Sequence, residues 1–273
     1  HFYPGTTILS FGTAGCNLGC KFCQNWNISK ARTQDRLTKN ALPKQIALDA
    51  KSHGCSSVAF TYNDPVIFAE YAIDTAIECK KLGLHTVAVS AGYITELARE
   101  DFFSVMSAAN IDLKGFSEKF YKQYSMAHLK PVLETLKYLV NKTKVWLEIT
   151  NLVIPNVNDS TKEIDLMTRW IRDHLGTEIP LHFSAFHPDF KMTDTPPTPP
   201  ETLTKAREIA LANGLHYVYT GNVHDPAGSS TYCPNCKKLL LERNWYELGQ
   251  SYIKDGKCQY CNYKISGYFA VLS

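Results

Sequence analysis

The sequence predicts an α/β fold: a parallel sheet that closes, or nearly closes, into a barrel, followed by a small ribbon held by four cysteines. Three observations carry this. Strand-like runs alternate with helical periods through six β–α units. The strand around Val145 to Asn151 has one aliphatic and one polar face. Four cysteines near the C-terminus fall into two Cys-x2-Cys pairs. A chain of 273 residues with 44% hydrophobic content can bury one large domain, or one plus a small one.

The first strand is the short apolar stretch Ile8 to Phe11, and a cysteine-rich loop, Gly12 to Trp26, acts as the first crossover. The polar stretch Asn27 to Asn40 has no sustained period. Pro43 then opens a helix through Ile46, Ala47 and Ala50 that Gly54 ends, the usual order of proline first and glycine last. Ser57 to Thr61 reads as a strand, and Asp64-Pro65 starts a helix whose apolar positions Ile67, Phe68, Tyr71, Ala72 and Ala76 keep a helical period as far as Gly83. The alternation continues with strand His85–Ser90, helix Thr95–Ser107, strand Asn110–Lys114, helical segments over Ser117–Asn141 and strand Val145–Val153. Ser160 with Glu163 forms a capping-box pattern for a helix reaching His174. A strand at Pro180–Phe186, a stiff proline connector at Thr195–Pro200 and a helix at Glu201–Ala212 complete the six units.

Val145, Leu147 and Ile149 suit packing on helices, whereas Trp146, Glu148 and Thr150 need a lined cavity. A doubly wound sheet would bury both faces in aliphatics, so the pattern favours a barrel. From Val223 the composition changes to the turn-rich His224–Ser230, which divides the chain into a barrel domain, 1–222, and a ribbon, 223–273.

The charge balance, 29 basic against 26 acidic residues, calls for neither nucleic acid nor an anionic membrane surface. Seven of nine cysteines are grouped at metal-site spacing, which points to a reducing compartment and a cytoplasmic protein. No apolar run approaches the roughly 18 residues of a membrane span. The chain starts at His1 without a methionine, and a preceding segment is expected.

Cys16, Cys20 and Cys23 stand at spacing Cys-x3-Cys-x2-Cys among glycines. Thiolates are soft ligands, and three aimed at one four-iron cubane leave an iron open to chelate a small molecule. A structural zinc loop or buried core thiols are the competing readings. With Phe22 in the aromatic place, the loop resembles the cluster motif of radical S-adenosylmethionine (radical SAM) enzymes. The resemblance implies a [4Fe-4S] cluster on Cys16, Cys20 and Cys23, S-adenosylmethionine on its open iron with Phe22 alongside, reductive cleavage to a 5′-deoxyadenosyl radical, and hydrogen abstraction from a substrate. It also selects a partial (β/α)6 barrel from the architectures the pattern allows, and implies a low-potential electron donor such as flavodoxin or ferredoxin.

Barrel enzymes keep their sites at the C-terminal ends of the strands. There, Thr61, Asn63 and Asp64 offer acceptors for the cofactor's ammonium group, although Asp64 is also a natural cap for the helix at Pro65. In the family the position of Asp64 often carries Glu. Ser90 ends the next strand within reach of a cofactor ribose or carboxylate, and Ala91 departs from the Asn that related sequences place there. Asp112 and Lys114 share one strand face, either as a structural ion pair or beside the reaction; their Asp-Leu-Lys run resembles that of pyruvate formate-lyase (glycyl-radical enzyme) activating enzymes. Glu148 with Thr150, and His182 with Ser184, face the same cavity, with His187 at a strand tip.

The stretch Leu181–Asp194, together with Tyr219–Val223 and Tyr232–Cys236, resembles the AmmeMemoRadiSam-system radical SAM enzymes over nearly the whole chain. That resemblance implies Memo-like and AMMECR-like companions and leaves the substrate, protein or small molecule, open. Cys233, Cys236, Cys258 and Cys261 form a four-thiolate site for structural zinc or an auxiliary cluster. Asn262 after the last pair accepts a positive backbone angle more readily than Lys237 after the first. A reading from another class is a non-catalytic interaction or sensor protein carrying an iron–sulfur cluster and zinc.

Overall fold

The computed structural model describes residues 1–31 and 39–269, so part of the polar stretch 27–40 lies outside the described residues. The chain divides into two compact units. One comprises Thr6–Leu147 with Pro188–Thr195, and the other His1–Gly5, Glu148–His187 and Pro196–Ser273. Among the described residues no helix is long and apolar enough to cross a membrane.

In the first unit β1 (Ile8–Phe11) leads through the helical turn α1 (Trp26–Ser29) and α2 (Pro43–Ser52) to β2 (Ser57–Phe60). α3 (Ala69–Lys81), β3 (His85–Ser90), α4 (Glu96–Ser104) and β4 (Ala108–Asp112) follow. The four strands pair in parallel, Ile8 beside Ser57, Ser57 beside His85 and Val87 beside Ala108. All four residues of β2 are buried, as a strand flanked on both sides requires.

Three local departures from the sequence pattern have physical causes. The helix expected from Asp64 begins as a 3-10 turn, Pro65–Phe68, because the Asp64 side chain accepts from the Val66 amide at 3.0 Å and tightens the first turn. α4 stops at Ser104 because the Ser107 amide has already joined the Thr86 carbonyl at 2.8 Å. β4 starts two residues before the expected Asn110, since pairing with β3 buries Ala108 and Ala109, small residues with little strand signal of their own. It therefore ends at Asp112, and Lys114 stands just beyond it. After β4, α5 (Glu118–Phe120) runs into a single π turn, Tyr121–Ser125, closed by Met126 in the left-handed conformation at φ 54°. α6 (Leu129–Lys142) completes the unit, burying Val132, Leu136 and Leu139 along one stripe.

β5 (Trp146–Val153) passes from the first unit into the second. Along it Leu147, Ile149, Asn151 and Val153 are buried while Trp146, Glu148, Thr150 and Leu152 are partly exposed, the alternation the sequence predicts. α7 (Thr161–Leu175) opens with the Ser160 hydroxyl accepting from the Glu163 amide at 3.2 Å. β6 (Leu181–Ala185), α8 (Pro200–Ala212) and β7 (Val218–Gly221) follow, with β5, β6 and β7 paired in parallel. β7 is a seventh strand beyond the six that the pattern indicates; four residues containing a tyrosine and a glycine are too short a run to register as a period. Before α8, the Thr198 hydroxyl donates to the Val153 carbonyl at 2.6 Å and accepts from the Phe186 amide at 2.9 Å, pinning the proline connector.

The strand order is β1-β2-β3-β4-β5-β6-β7, the order of the chain. It never reverses, so it lacks the switch point of a doubly wound sheet.

The turn-rich stretch contains one helical turn, α9 (Pro226–Ser229). Beyond it β8 (Thr231–Tyr232), β9 (Leu239–Asn244) and β10 (Glu247–Ser251) form an antiparallel sheet, and β11 (Ile253–Lys254) pairs with β12 (Lys257–Cys258). This ribbon does not own its core. Cys233, Leu240, Cys258 and Ile265 pack with Tyr217 and Tyr219 from in and beside β7.

Asp225 caps α9 through the Gly228 amide at 2.9 Å and takes the Thr220 hydroxyl at 2.9 Å. A Cβ at Gly228 would lie 2.2 Å from both the Asp225 carboxylate and the Thr220 hydroxyl. Gly228→Ala is expected to part that pair and destabilise the protein by about 1–3 kcal/mol, read as a lower urea midpoint at unchanged slope.

Candidate functional site

The loop Gly12 to Trp26 has no regular structure of its own, so its shape comes from the groups that grip it. Asn63, 5% exposed at the end of β2, accepts from the Thr13 amide at 3.1 Å and donates to the Gly15 carbonyl at 2.7 Å and the Thr13 hydroxyl at 3.2 Å. Gly12 is what lets the chain come so close: a Cβ there would stand 2.4 Å from the Thr61 carbonyl oxygen. Further along, the Asn17 side chain donates to the Tyr93 carbonyl at 2.9 Å. The amides of Gly19 and Lys21, on either side of Cys20, donate to the carbonyls of Ser125 at 2.9 Å and Tyr124 at 2.8 Å. Thus the π turn after α5 serves as a clamp.

Cys20 is buried, and Cys16 and Cys23 are partly exposed. Burial pushes the Cys20 thiol up, against the pull of the Lys114 ammonium. Three thiols on one short loop, one of them buried beside a cation, suit a soft metal cluster. Phe22, 3% exposed, packs against Phe120 at 5.8 Å between ring centres, with the Lys114 ammonium 5.9 Å from its ring. Lys114 pairs with Asp112 at 2.8 Å. Burial opposes the ammonium charge, but the Asp112 carboxylate and the neighbouring Cys20 outweigh it and hold the Lys114 pKa above its ordinary value. Lys114 stands beyond the end of β4, so the two do not share a strand face as expected; they meet as an ion pair, which brings their charge beside the cysteine loop.

Asp64 is 4% exposed. Its carboxylate takes the Val66 amide at 3.0 Å, the Ser90 hydroxyl at 3.0 Å and the Ala91 amide at 2.9 Å, while Ser90 accepts from the Gly92 amide at 3.0 Å. Burial raises the Asp64 pKa and these donors counter it. Asn63, Asp64 and Ser90 thus commit the side-chain groups expected at a cofactor to bonds within the protein, tying the ends of β2 and β3 together. Ala91 contributes its backbone amide, a role its side chain does not limit. Thr61 and Tyr62 are the more accessible members of this rim.

In the second unit the Glu148 carboxylate accepts from His182 at 2.6 Å. The His182 ring stacks on Tyr219 at 5.0 Å. The shared face of Glu148 and His182 is therefore as the alternation predicts. His187 lies exposed just after β6.

Cys233, Cys236, Cys258 and Cys261 bring their sulfurs within 4.8 Å of one another, with Cys233 to Cys261 at 3.6 Å and Cys236 to Cys258 at 3.8 Å. Lys237 and Asn262, each following a pair, both take positive φ, 63° and 59°. The Lys237 amide donates to the Cys233 carbonyl at 3.0 Å and the Asn262 amide to the Cys258 carbonyl at 2.9 Å, so the two turns are equivalent knuckles. The Tyr263 amide draws the Cys261 thiol down while burial pushes Cys233 up.

Two serines escape sequence reasoning. Ser29, 5% exposed, places its hydroxyl 3.1 Å from the Cys23 sulfur, and Ser125, fully buried, lies against Cys20. Ser29 is six residues from its cysteine, a spacing that could have been noticed; Ser125 is distant in sequence and carries no local signal.

The grip of Asn63 on the loop is testable. Asn63→Ala is expected to strand the Thr13 amide and the Gly15 carbonyl, cost about 1–3 kcal/mol, and lower the iron retained per chain after anaerobic reconstitution. Urea unfolding and iron analysis on one preparation measure both.

The sequence model of the radical SAM superfamily matches residues 11–167. An uncharacterized protein of Methanocaldococcus jannaschii is 41% identical over 268 residues, covering 97% of this chain and 79% of that protein. The pyruvate formate-lyase 1-activating enzyme of Escherichia coli is 24% identical over 224 residues, 76% of this chain and 89% of the enzyme, a distant similarity. Among solved structures, a radical SAM methyltransferase from Sphaerobacter thermophilus superposes with a TM-score of 0.61 at 17% identity, covering 87% of this chain and 71% of that one; at that identity the likeness speaks for the fold alone. The family model spans more than half of the chain and includes all three loop cysteines, and with the four-cysteine ribbon set apart from them, the chain belongs to the radical SAM superfamily.

Proposed function

We propose that the chain uses a [4Fe-4S] cluster on Cys16, Cys20 and Cys23 to generate a substrate radical from S-adenosylmethionine. The observation that carries this is the three-cysteine loop held open at the rim by Asn63: three thiolates satisfy three irons of a cubane and leave the fourth for a chelating ligand. When bound, the cluster and S-adenosylmethionine supply one-electron cleavage of the sulfonium, giving methionine and a 5′-deoxyadenosyl radical that takes a hydrogen atom from substrate and leaves it one electron oxidised. This chain's own groups position that chemistry. The Asp64–Ser90 network fixes the rim, Phe22 and the Asp112–Lys114 pair wall the loop, and Lys114 offsets the negative charge of the thiolates.

The finer reading is an activase that installs a glycyl radical on a protein partner. The distant similarity to pyruvate formate-lyase 1-activating enzyme supports it, and such a partner would retain a persistent organic radical signal after co-incubation. Modification of a small molecule would leave none. A low-potential one-electron donor of the flavodoxin or ferredoxin kind is the matching reductant. Asp112, Lys114 and His187 are the groups we assign to substrate handling.

For the ribbon we propose structural zinc. Four thiolates around one zinc with bonds of about 2.3 Å give tetrahedron edges of about 3.8 Å; the sulfurs all lie within 4.8 Å of one another, two of the pairs at 3.6 and 3.8 Å. A multi-iron cluster spreads its cysteine sulfurs further, because metal–metal edges add to the metal–sulfur bonds. Paired knuckle turns support the same assignment.

Anaerobically reconstituted protein, reduced with dithionite in the presence of S-adenosylmethionine, is expected to release 5′-deoxyadenosine, and Cys20→Ala to abolish the release. Wild-type protein with full iron and sulfide that binds no S-adenosylmethionine would return the chain to the non-catalytic reading. Separately, a Cys16→Ala, Cys20→Ala, Cys23→Ala variant is expected to retain one zinc per chain by elemental analysis, with zinc removal by a chelator lowering the melting temperature. Iron and sulfide in the ribbon of that variant would overturn the zinc assignment.

A further inference from the structure

Three backbone amides of the cysteine loop are engaged away from the sulfurs. The amides of Gly19 and Lys21 point to the carbonyls of Ser125 and Tyr124, and the Gly15 amide to the Ile28 carbonyl at 3.0 Å. Beside two of the three ligand sulfurs stand buried hydroxyls instead. The Ser29 oxygen is 3.1 Å from the Cys23 sulfur in a residue 5% exposed. The Ser125 hydroxyl is fully buried, has no hydrogen-bond partner of good geometry, and lies against the Cys20 thiol. A hydroxyl left unpaired in such a place is costly, so it calls for an acceptor.

We propose that Ser29 and Ser125 are positioning residues that donate O–H···S hydrogen bonds to Cys23 and Cys20 and thereby set how readily the cluster takes up its electron. The proposal rests on the reading that this loop carries a [4Fe-4S] cluster. Once the cysteines are metal-bound thiolates they have no proton to give, so each serine must be the donor. The third ligand differs. Near Cys16 stands the Asn17 carbonyl oxygen at 3.9 Å, an acceptor, while its amide is committed to Tyr93. Hydrogen bonds to the sulfurs are among the factors that set iron–sulfur potentials. A donor places partial positive charge beside a sulfur that becomes more negative on reduction, and so favours the reduced state. The geometry also makes the effect local to two sulfurs, fixed by α1 at Ser29 and by the π turn and left-handed Met126 at Ser125.

The test is an anaerobic redox titration of reconstituted full-length protein without substrate, following the reduced cluster by electron paramagnetic resonance, with iron and sulfide measured on each sample. Ser125→Ala and Ser29→Ala are each expected to make reduction about tenfold less favourable, a midpoint about 59 mV more negative for one electron, with the double variant shifted further. Ser29→Thr, which keeps the hydroxyl, is expected to titrate close to the parent. Midpoints unchanged in both alanine variants at full iron and sulfide would overturn the proposal, as would a Thr variant shifted as far as the Ala variant. If Ser125→Ala takes up no cluster, the Ser29 pair of variants decides alone. Parent protein that takes up no cluster would instead overturn the reading of the loop.

Discussion

Three cysteines within eight residues are presented together by a segment that makes no helix or strand. That constraint organises the first unit. A loop cannot hold such a geometry through its own backbone bonds, so it borrows donors and acceptors from the elements around it. Asn63 fixes its first half from the end of β2, and the carbonyls of Tyr124 and Ser125 fix its middle. The parallel strands matter because they deliver Asn63, Asp64 and Ser90 to one rim, where β2 and β3 are tied together through a single carboxylate. The π turn matters because it interrupts the helix where its carbonyls are needed.

Charge is treated differently in the two units. Beside the cysteine loop, Lys114 is a cation kept charged against burial by Asp112, and its field falls on Cys20. In the second unit Glu148 is a carboxylate that meets His182, which in turn stacks on Tyr219. In each case the sequence pattern placed two polar residues on one strand face or on neighbouring strands, and folding turned them into a pair. The ribbon follows a third principle. Its core is completed by Tyr217 and Tyr219 and by four thiols at tetrahedral spacing, so its apolar packing and its metal site are parts of one cluster.

Where the sequence was legible, the signal was local. Cysteine spacing, the Ser160–Glu163 cap, the proline at Pro43 and the alternation along β5 all depend on residues a few positions apart, and each appears in the structure where the pattern places it. The displaced features were decided by neighbours. β4 slid toward Ala108 because β3 needed a partner there, and β7 is a strand because β6 lies beside it, since four residues do not declare a strand by themselves. Asp64 and Ser90 were visible as polar groups at strand ends. That they face each other was not, because the contact spans 26 residues.

By itself the sequence determined the chemical groups: three soft ligands at the spacing of the superfamily's loop, a second set of four cysteines, and a βα alternation able to hold both. Ligand type and short-range spacing are properties of the chain, readable before it folds. Tertiary structure decided what surrounds that chemistry: that Asn63 grips the loop instead of standing free at the rim, that Lys114 stands beside Cys20, and that Ser29 and Ser125 bring hydroxyls to two of the three sulfurs. Those outcomes depend on contacts such as that between Cys20 and Ser125, far apart in the chain, which only folding brings together.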